Sequence, residues 1–224
     1  MDRDDLQNWM ILFKFGRREH LEQFRSCGLL YMRHQQYFRE IESDETRSDR
    51  FETTDRIVQP NALGQLTVES ASKRFVIKPD DLVGPVLISL AKSPCNIYCM
   101  FAVTQPVTGL LVDKRNFGFG DSFLIVLNTQ TFLGRVFSAA KSRGFSCQAS
   151  LVEYYDDQNY SGETGPFRKP AAFSYQNEFR FVVRPGSKEA IQLEVGSLAD
   201  ITSRVHPLSE VNRLVEFVME PPAD

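Results

Sequence analysis

The most continuously apolar stretch of the chain is the segment 96–103, Asn-Ile-Tyr-Cys-Met-Phe-Ala-Val. Apolar residues at consecutive positions, rather than at alternate ones, are typical of a strand that is covered on both faces. We therefore predict a central strand in this segment, with a role in the core. The chain has 224 residues and 42% hydrophobic content, which is enough to build that core as one domain, 1–224.

The beginning of the chain carries a strand, helix, strand pattern. Residues 9–15 form an apolar run, and residues 29–32 form a shorter one. The segment 17–27 between them has apolar side chains at helical spacing, and Gly28 follows where a left-handed residue ends many helices. The same spacing predicts a second helix over 130–143. Together these patterns predict an α+β domain with a mixed or antiparallel sheet and two main helices.

A late segment, 173–183, has the sequence Phe-Ser-Tyr-Gln-Asn-Glu-Phe-Arg-Phe-Val-Val, in which polar and apolar residues alternate from Tyr175 onward. In a strand, Gln176, Glu178 and Arg180 would share one face, with same-face neighbours roughly 7 Å apart. Such a row of side chains could hold a hydroxyl, a carboxamide or a phosphate. The competing interpretation is that the charged pair is only the solvated face of an antiparallel strand.

Two further segments are predicted to lack regular structure. The polar stretch 156–166 is rich in Gly, Asn, Asp and Pro, which disfavour helices and strands, and it is predicted to be a mobile loop. A Pro-Pro pair near the end of the chain predicts a disordered tail at 220–224.

The charged segment 33–56 has few large apolar residues, and its part 44–52 shows little helical periodicity. Arg47, Asp49 and Glu52 lie within six residues of one another in this segment, so we expect them on a loop. A loop that is positioned by a rigid scaffold is a common place for binding groups, although mixed charge of this kind also suits a solvated surface.

The cysteine pattern, the amino terminus and the net charge give expectations about metal binding, location and partners. The four cysteines lack paired Cys-x-x-Cys spacing, so we predict reduced thiols in a cytoplasmic protein that holds no metal. The amino terminus is acidic and no apolar run approaches roughly 18 residues, so neither a signal peptide nor a membrane contact is expected. A net charge of -3 does not by itself require a nucleic-acid partner.

Four passages carry a family resemblance: 14–21 (Lys-Phe-Gly-Arg-Arg-Glu-His-Leu), 37–39 (Tyr-Phe-Arg), 47–52 (Arg-Ser-Asp-Arg-Phe-Glu) and 175–180 (Tyr-Gln-Asn-Glu-Phe-Arg). Over most of its length the chain resembles a set of uncharacterised bacterial and phage proteins. The layout also resembles the ADP-ribosyltransferase fold, and the Gln-x-Glu pair resembles that of the R-S-E type mono-ADP-ribosyltransferases. The Ser-Thr-Ser strand that this class normally carries is missing from the sequence.

The resemblance implies an enzyme that uses NAD as a substrate and transfers ADP-ribose to an unknown acceptor, either protein or nucleic acid. It implies that Glu178 holds the ribose 2'-hydroxyl and faces the positive charge that develops on the sugar. Gln176 would orient the acceptor. Replacing Glu178 by Gln is accordingly expected to abolish NAD consumption and to leave the fold intact. A toxin, a defence protein or a phage accessory protein would fit this activity.

The remaining contacts to the nucleotide are expected from residues that are spread along the chain. A basic group near the first strand, either Lys14 or Arg17, would bind a phosphate. Tyr31 or Tyr37 could stack on nicotinamide. The expected nucleotide-binding set is completed by the charged side chains of Arg47, Asp49, Glu52 and Arg180.

The alternative function is a non-catalytic binding or accessory protein of phage or mobile-element origin. In that case Arg47, Asp49, Glu52, Glu178 and Arg180 would form a structural network of paired charges. The two hypotheses differ in their expected geometry. The enzyme requires a concave pocket over Gln176 and Glu178 with basic groups beside it, whereas the network requires that these side chains saturate one another.

Overall fold

The computed structural model describes residues 10–40, 51, 53–71, 73–89, 94–105 and 109–215. Its strands are β1 (Ile11–Gly16), β2 (Leu29–His34), β3 (Arg56–Val58), β4 (Leu66–Ser70), β5 (Lys73–Ile77), β6 (Val86–Ile88), β7 (Asn96–Val103), β8 (Ser122–Val126), β9 (Ser146–Leu151), β10 (Glu153–Tyr155), β11 (Gly162–Glu163), β12 (Arg168–Pro170), β13 (Glu178–Arg184), β14 (Ile191–Glu194) and β15 (His206–Pro207). Its α-helices are α1 (Arg18–Cys27), α2 (Gln35–Glu40), α3 (Thr129–Ser142) and α4 (Val211–Leu214). Short 3-10 helices cover Pro60–Ala62, Pro79–Asp81, Lys114–Phe119, Ala171–Gln176 and Leu208–Glu210.

The main sheet is antiparallel and is organised around β7. On one side β7 pairs with β13 over most of its length, from Glu178 opposite Phe101 to Val183 opposite Asn96. On the other side it pairs with two different strands, because β1 contacts its carboxyl end and β2 contacts its amino end. Beyond these contacts β1 continues against β8 and β2 continues against β14. The sheet is therefore split along this side of β7.

Each face of the sheet is covered by its own apolar cluster. On one face α1 contributes Leu21 and Phe24, α3 contributes Phe132 and Val136, and β13 contributes Phe181. The ring centroids of the two phenylalanines from α1 and α3 lie 5.7 Å apart. On the other face the phenylalanines of β1, β7 and β8 pack together with the carboxyl-terminal residues of the described chain. The split sheet is thus held from both sides.

The structure confirms the predicted α+β class and both long helices. The central strand over 96–103 is also confirmed, since every side chain in it is buried or half-buried. Gly28 ends α1 with φ 66°, and a Cβ at this position would lie 2.1 Å from the carbonyl oxygen of Gly196. A residue with a side chain could not occupy this close approach, which explains the glycine.

The strand that alternation predicts from Tyr175 to Val183 is wrong over its first three residues. Residues Ala171–Gln176 form a 3-10 helix, Asn177 follows with φ 40°, and β13 begins only at Glu178. The interpretation of Glu178 and Arg180 as a solvated face is also wrong, since they are 7% and 2% exposed. Alternation correctly placed the apolar and the charged side chains of this strand on opposite faces. It did not predict that other parts of the chain cover the charged face as well.

Other predictions concern the connecting segments. The stretch 156–166 includes the short strand β11, which pairs with β3, so the expectation that it lacks regular structure is wrong. Its mobility stays a prediction. The charged segment includes helix α2, which sequence reasoning did not predict. Arg47, Asp49, Glu52 and the tail 220–224 lie outside the described residues. In the described part of the chain no helix is long and apolar enough to cross a bilayer.

Candidate functional site: the cleft in the split sheet

A cleft of about 1030 Å³ opens where β1 and β2 diverge from β7. Strand β7 contributes Tyr98, Cys99 and Met100 to its lining, because these residues lie between the registers of the two diverging strands. Other side chains that line it include Lys14, Arg17, His20, Tyr31, Arg33, Tyr37, Asn116, Lys169, Gln176, Glu178 and Arg180. We call this feature the split-sheet cleft.

Two basic residues of the predicted nucleotide-binding set lie where β1 passes into α1. The Lys14 ammonium donates a hydrogen bond of 2.6 Å to the carbonyl oxygen of Cys99. It also lies 4.2 Å from the centroid of the Tyr98 ring. Arg17 precedes the first turn of α1 with extended backbone and an exposed side chain. Lys14 thus spans the gap between the strands, and Arg17 carries its charge at the mouth of the cleft.

On the opposite side of the cleft a stack is formed by Tyr31, Arg33 and Tyr37. The guanidinium carbon of Arg33 lies 4.8 Å from the ring centroid of Tyr31 and 4.3 Å from that of Tyr37. Both rings remain partly open to solvent, with exposed fractions of 43% and 37%. No carboxylate among the described residues forms an ion pair with Arg33. The stack therefore presents aromatic surface and positive charge together.

Sequence reasoning missed Arg33 although a signal was present. Tyr31 and Arg33 occupy alternate positions of β2, which places them on the same face of the strand. Tyr37 follows in the helix that comes directly after the strand. A Tyr-x-Arg pair ahead of a Tyr near the end of a strand is the pattern that could have identified the stack.

A buried ion triad, formed by Lys169, Glu178 and Arg180, lines the cleft beside the start of β13. One carboxylate oxygen of Glu178 is 2.8 Å from the Lys169 ammonium, and the other is 2.7 Å from Nε of Arg180. The ammonium also donates a 2.7 Å hydrogen bond to Oε1 of Gln176. Arg180 further donates from Nη1 to the carbonyl oxygen of Pro166 at 2.6 Å. The triad thus connects β13 to the segment that covers it.

The charges of the triad determine the protonation of their surroundings. Burial raises the pKa of Glu178, but the charges of Arg180 and Lys169 outweigh it and hold the pKa well below its ordinary value. Glu178 is therefore ionised at neutral pH. Burial, with a further contribution from Glu178, raises the pKa of Cys99 to about 12. This cysteine is a neutral thiol and is not a candidate nucleophile.

A tyrosine supports the start of β13. The Tyr154 hydroxyl oxygen accepts a hydrogen bond of 2.9 Å from the backbone N–H of Glu178. Burial and the charge of Glu178 raise the pKa of Tyr154 above its ordinary value, so the phenol stays neutral. Its contact with the backbone fixes where the Glu178 side chain enters the cleft.

Seven residues that the sequence selected line the same cleft: Lys14, Arg17, Tyr31, Tyr37, Gln176, Glu178 and Arg180. Lys169 was missed. It belongs to β12, and no spacing rule predicts its contact with Glu178, because the intervening 3-10 helix returns the chain to the same place.

Both expected geometries are present at once, since a concave site lies at Gln176 and Glu178 while Glu178 is also paired.

Fold and site together define an α+β protein with a basic, partly aromatic cleft in a split antiparallel sheet. Comparison of the chain with protein-family models, with curated proteins and with solved structures finds no match. Within the described ranges no group of three or more His, Cys, Asp or Glu side chains is arranged to hold a metal ion.

Proposed function

We propose that the split-sheet cleft binds NAD and that the protein is an ADP-ribosyltransferase-like enzyme, whose acceptor is a macromolecule. The observation that carries this proposal is the presence, in one cleft, of an open Tyr-Arg-Tyr stack and a buried ionised carboxylate. The resemblance of the Gln-x-Glu-Phe-Arg passage to the mono-ADP-ribosyltransferases supports the choice of reaction.

The cleft has the features that bind a dinucleotide. Its volume of about 1030 Å³ is at the upper end of the range for small-molecule sites. Arg17 and Arg33 supply positive charge for a pyrophosphate, and guanidinium groups bind phosphate oxygens in a bidentate manner. The partly exposed faces of Tyr31 and Tyr37 provide surfaces on which a base or a nicotinamide ring can stack.

The reaction would break the bond between nicotinamide and ribose. Nicotinamide leaves as a neutral molecule, the acceptor forms a bond to the same sugar carbon, and the acceptor releases its proton. An ionised carboxylate offers about four lone-pair positions, of which Lys169 and Arg180 each occupy one on Glu178. The remaining positions can accept the ribose 2'-hydroxyl and face the positive charge on the sugar.

A second candidate function is a non-catalytic nucleotide-binding module. The ion triad favours it, because Glu178 is already bound by two buried cations and Arg180 connects β13 to the segment that covers it. A carboxylate that is held in this way has a structural role and is less available to a cationic sugar. This candidate predicts NAD binding without release of nicotinamide.

Release of nicotinamide by the wild-type protein separates the two candidates, and Glu178→Asp tests the catalytic role of the carboxylate. The variant keeps the negative charge for Lys169 and Arg180 but withdraws the carboxylate by one methylene. We expect release of nicotinamide from NAD to fall by about 100-fold or more, while NAD binding changes less than tenfold. Nicotinamide is measured by chromatography and binding by calorimetry. Glu153→Asp, on an exposed residue paired with Arg168, is the matched control.

The outcomes distinguish the candidates directly. Wild-type protein that binds NAD without releasing nicotinamide supports the binding module, and absence of binding at millimolar NAD contradicts both candidates. The simpler variant Glu178→Gln is less suitable than the sequence suggested, because it removes the charge of the carboxylate that pairs with two buried cations. We expect that variant to lose stability as well as activity.

A cytoplasmic location and a role as a toxin, a defence protein or a phage accessory protein complete the proposal. None of the four cysteines forms a disulfide in the described part of the chain, which agrees with a reducing compartment.

A further inference from the structure

Asn116 carries an unusual buried acceptor beside the ion triad. It lies in the 3-10 helix Lys114–Phe119, is 1% exposed and lines the split-sheet cleft. Its Nδ2 donates a hydrogen bond of 2.8 Å to the carbonyl oxygen of Tyr175. Its Oδ1 is buried and receives no hydrogen bond in the described part of the chain.

The orientation of this amide follows from its neighbour. A backbone carbonyl can only accept a hydrogen bond, so the NH₂ group of Asn116 must face Tyr175 and the oxygen must point elsewhere. Buried acceptors without a donor are rare in folded proteins, because they lose their bonds to water and gain none in return. An acceptor of this kind in the lining of a cleft indicates a donor that arrives with a ligand.

Asn116 lies at the same end of the cleft as Glu178. Tyr175 directly precedes Gln176, whose side chain contacts the ion triad through Lys169. The same 3-10 helix is followed by Gly120, where a Cβ would lie 2.3 Å from the carbonyl carbon of Gly16. Asn116 therefore lies between the end of β1 and the start of β13, at the end of the cleft that contains Glu178.

We infer that Asn116 determines ligand specificity by accepting a hydrogen bond from the carboxamide of the nicotinamide ring, an inference that rests on the proposed binding of NAD. The ribose 2'-hydroxyl is assigned to Glu178, so the nicotinamide lies at this end, and the stack of Tyr31, Arg33 and Tyr37 on the other side of the cleft is left for the adenine base. The carboxamide NH₂ is then the donor nearest to the reacting bond. A carboxylate in its place has no proton to donate and repels the amide oxygen.

The test compares NAD with nicotinic acid adenine dinucleotide, which differs in carrying a carboxylate on the pyridine ring. Calorimetry on the wild-type protein should show NAD binding at least about tenfold more tightly. In Asn116→Ala the affinity for NAD should fall by about tenfold, and the preference between the two ligands should largely disappear. Asn128→Ala, at the amino-terminal cap of α3, is the matched control and should keep the preference.

Each result bears on a distinct claim. Equal affinities in the wild-type protein overturn the role of Asn116 but leave the proposed function in place. An unchanged preference in folded Asn116→Ala also overturns that role. If neither dinucleotide binds the wild-type protein, the proposed function fails and this inference fails with it. The wild-type comparison needs no variant, so it remains decisive even if Asn116→Ala does not fold.

Discussion

The two faces of β13 are both buried, but different interactions hold them. One face carries Phe179 and Phe181, whose ring centroids lie 5.3 Å apart, in the apolar cluster beneath α1 and α3. The other face carries Glu178 and Arg180, which pair with each other and with Lys169 at the end of the split-sheet cleft. The same short strand therefore contributes to the core on one side and to the site on the other.

The two faces of β13 therefore differ in what they contribute to stability and to function. Apolar packing stabilises a fold without a specific partner, because its strength follows the area that is buried. A buried carboxylate with two cations requires all of its members, and well-packed apolar residues in their place are often equally stable or more so. Stability alone therefore does not explain the triad, and its position in a cleft supports a role in ligand binding.

The largest effect is expected on the apolar face, from Phe181→Ala. Phe181 is fully buried and contacts Phe132 edge to face, with ring centroids 5.6 Å apart. Removing the ring leaves a cavity, so we expect the free energy of unfolding to fall by about 4 kcal/mol in denaturant titrations. The ligand-facing side of the strand is untouched, so NAD affinity of the folded fraction should stay within about twofold. A large loss of affinity would contradict the separation of the faces.

A somewhat smaller loss of stability is expected on the other face, from Arg180→Met. The methionine keeps much of the side-chain stem but leaves one carboxylate oxygen of Glu178 and the carbonyl of Pro166 without their donor. We expect a loss of about 3 kcal/mol by the same measurement, together with weaker NAD binding. The matched control is Arg135→Met, which breaks the partly exposed pair with Asp200 and should cost clearly less stability, because solvent screens that pair. Equal costs for the two variants would mean that burial of the triad has no energetic consequence.

The sequence could predict the apolar face of this strand but not its charged face. Alternation placed Phe179, Phe181 and Val183 together, and the apolar run at 96–103 correctly predicted the strand at the centre of the sheet. Alternation and a continuous apolar run are both visible within a few neighbouring residues, and both arise when a strand packs against an apolar layer. The burial of Glu178 and Arg180 depends instead on residues 165–176, which cover them in a conformation that alternation does not encode.

The cleft likewise depends on contacts between residues that are far apart in the sequence. Lys14, Tyr31 and Glu178 could be selected from the sequence as chemically suitable residues. That they line one cleft depends on β1 and β2 pairing with different ends of β7. Pairing registers between distant strands are set by tertiary packing, so residue type predicted the members of the site and could not predict its shape. Lys169 and Asn116 were missed for this reason.

The smallest effect, and the most specific to the charged face, is a dependence on acid. The charges of Arg180 and Lys169 hold the pKa of Glu178 in the folded protein well below its ordinary value of 4.5. The unfolded chain therefore binds this proton first as the pH falls, so the stability from the triad is complete above about pH 5 and decreases below pH 4.5.

In Arg180→Met the folded pKa of Glu178 lies closer to the unfolded value, and little of this decrease should remain. The difference in unfolding free energy between wild type and Arg180→Met should accordingly be constant from about pH 7 to about pH 5 and should shrink in more acidic solution. Carboxylates that do not contact Arg180, such as that of Asp200, titrate alike in both proteins and cancel from the difference. Denaturant titrations across this range measure it, and a difference that stays constant down to about pH 3 would show that Glu178 is not held ionised by its two cations.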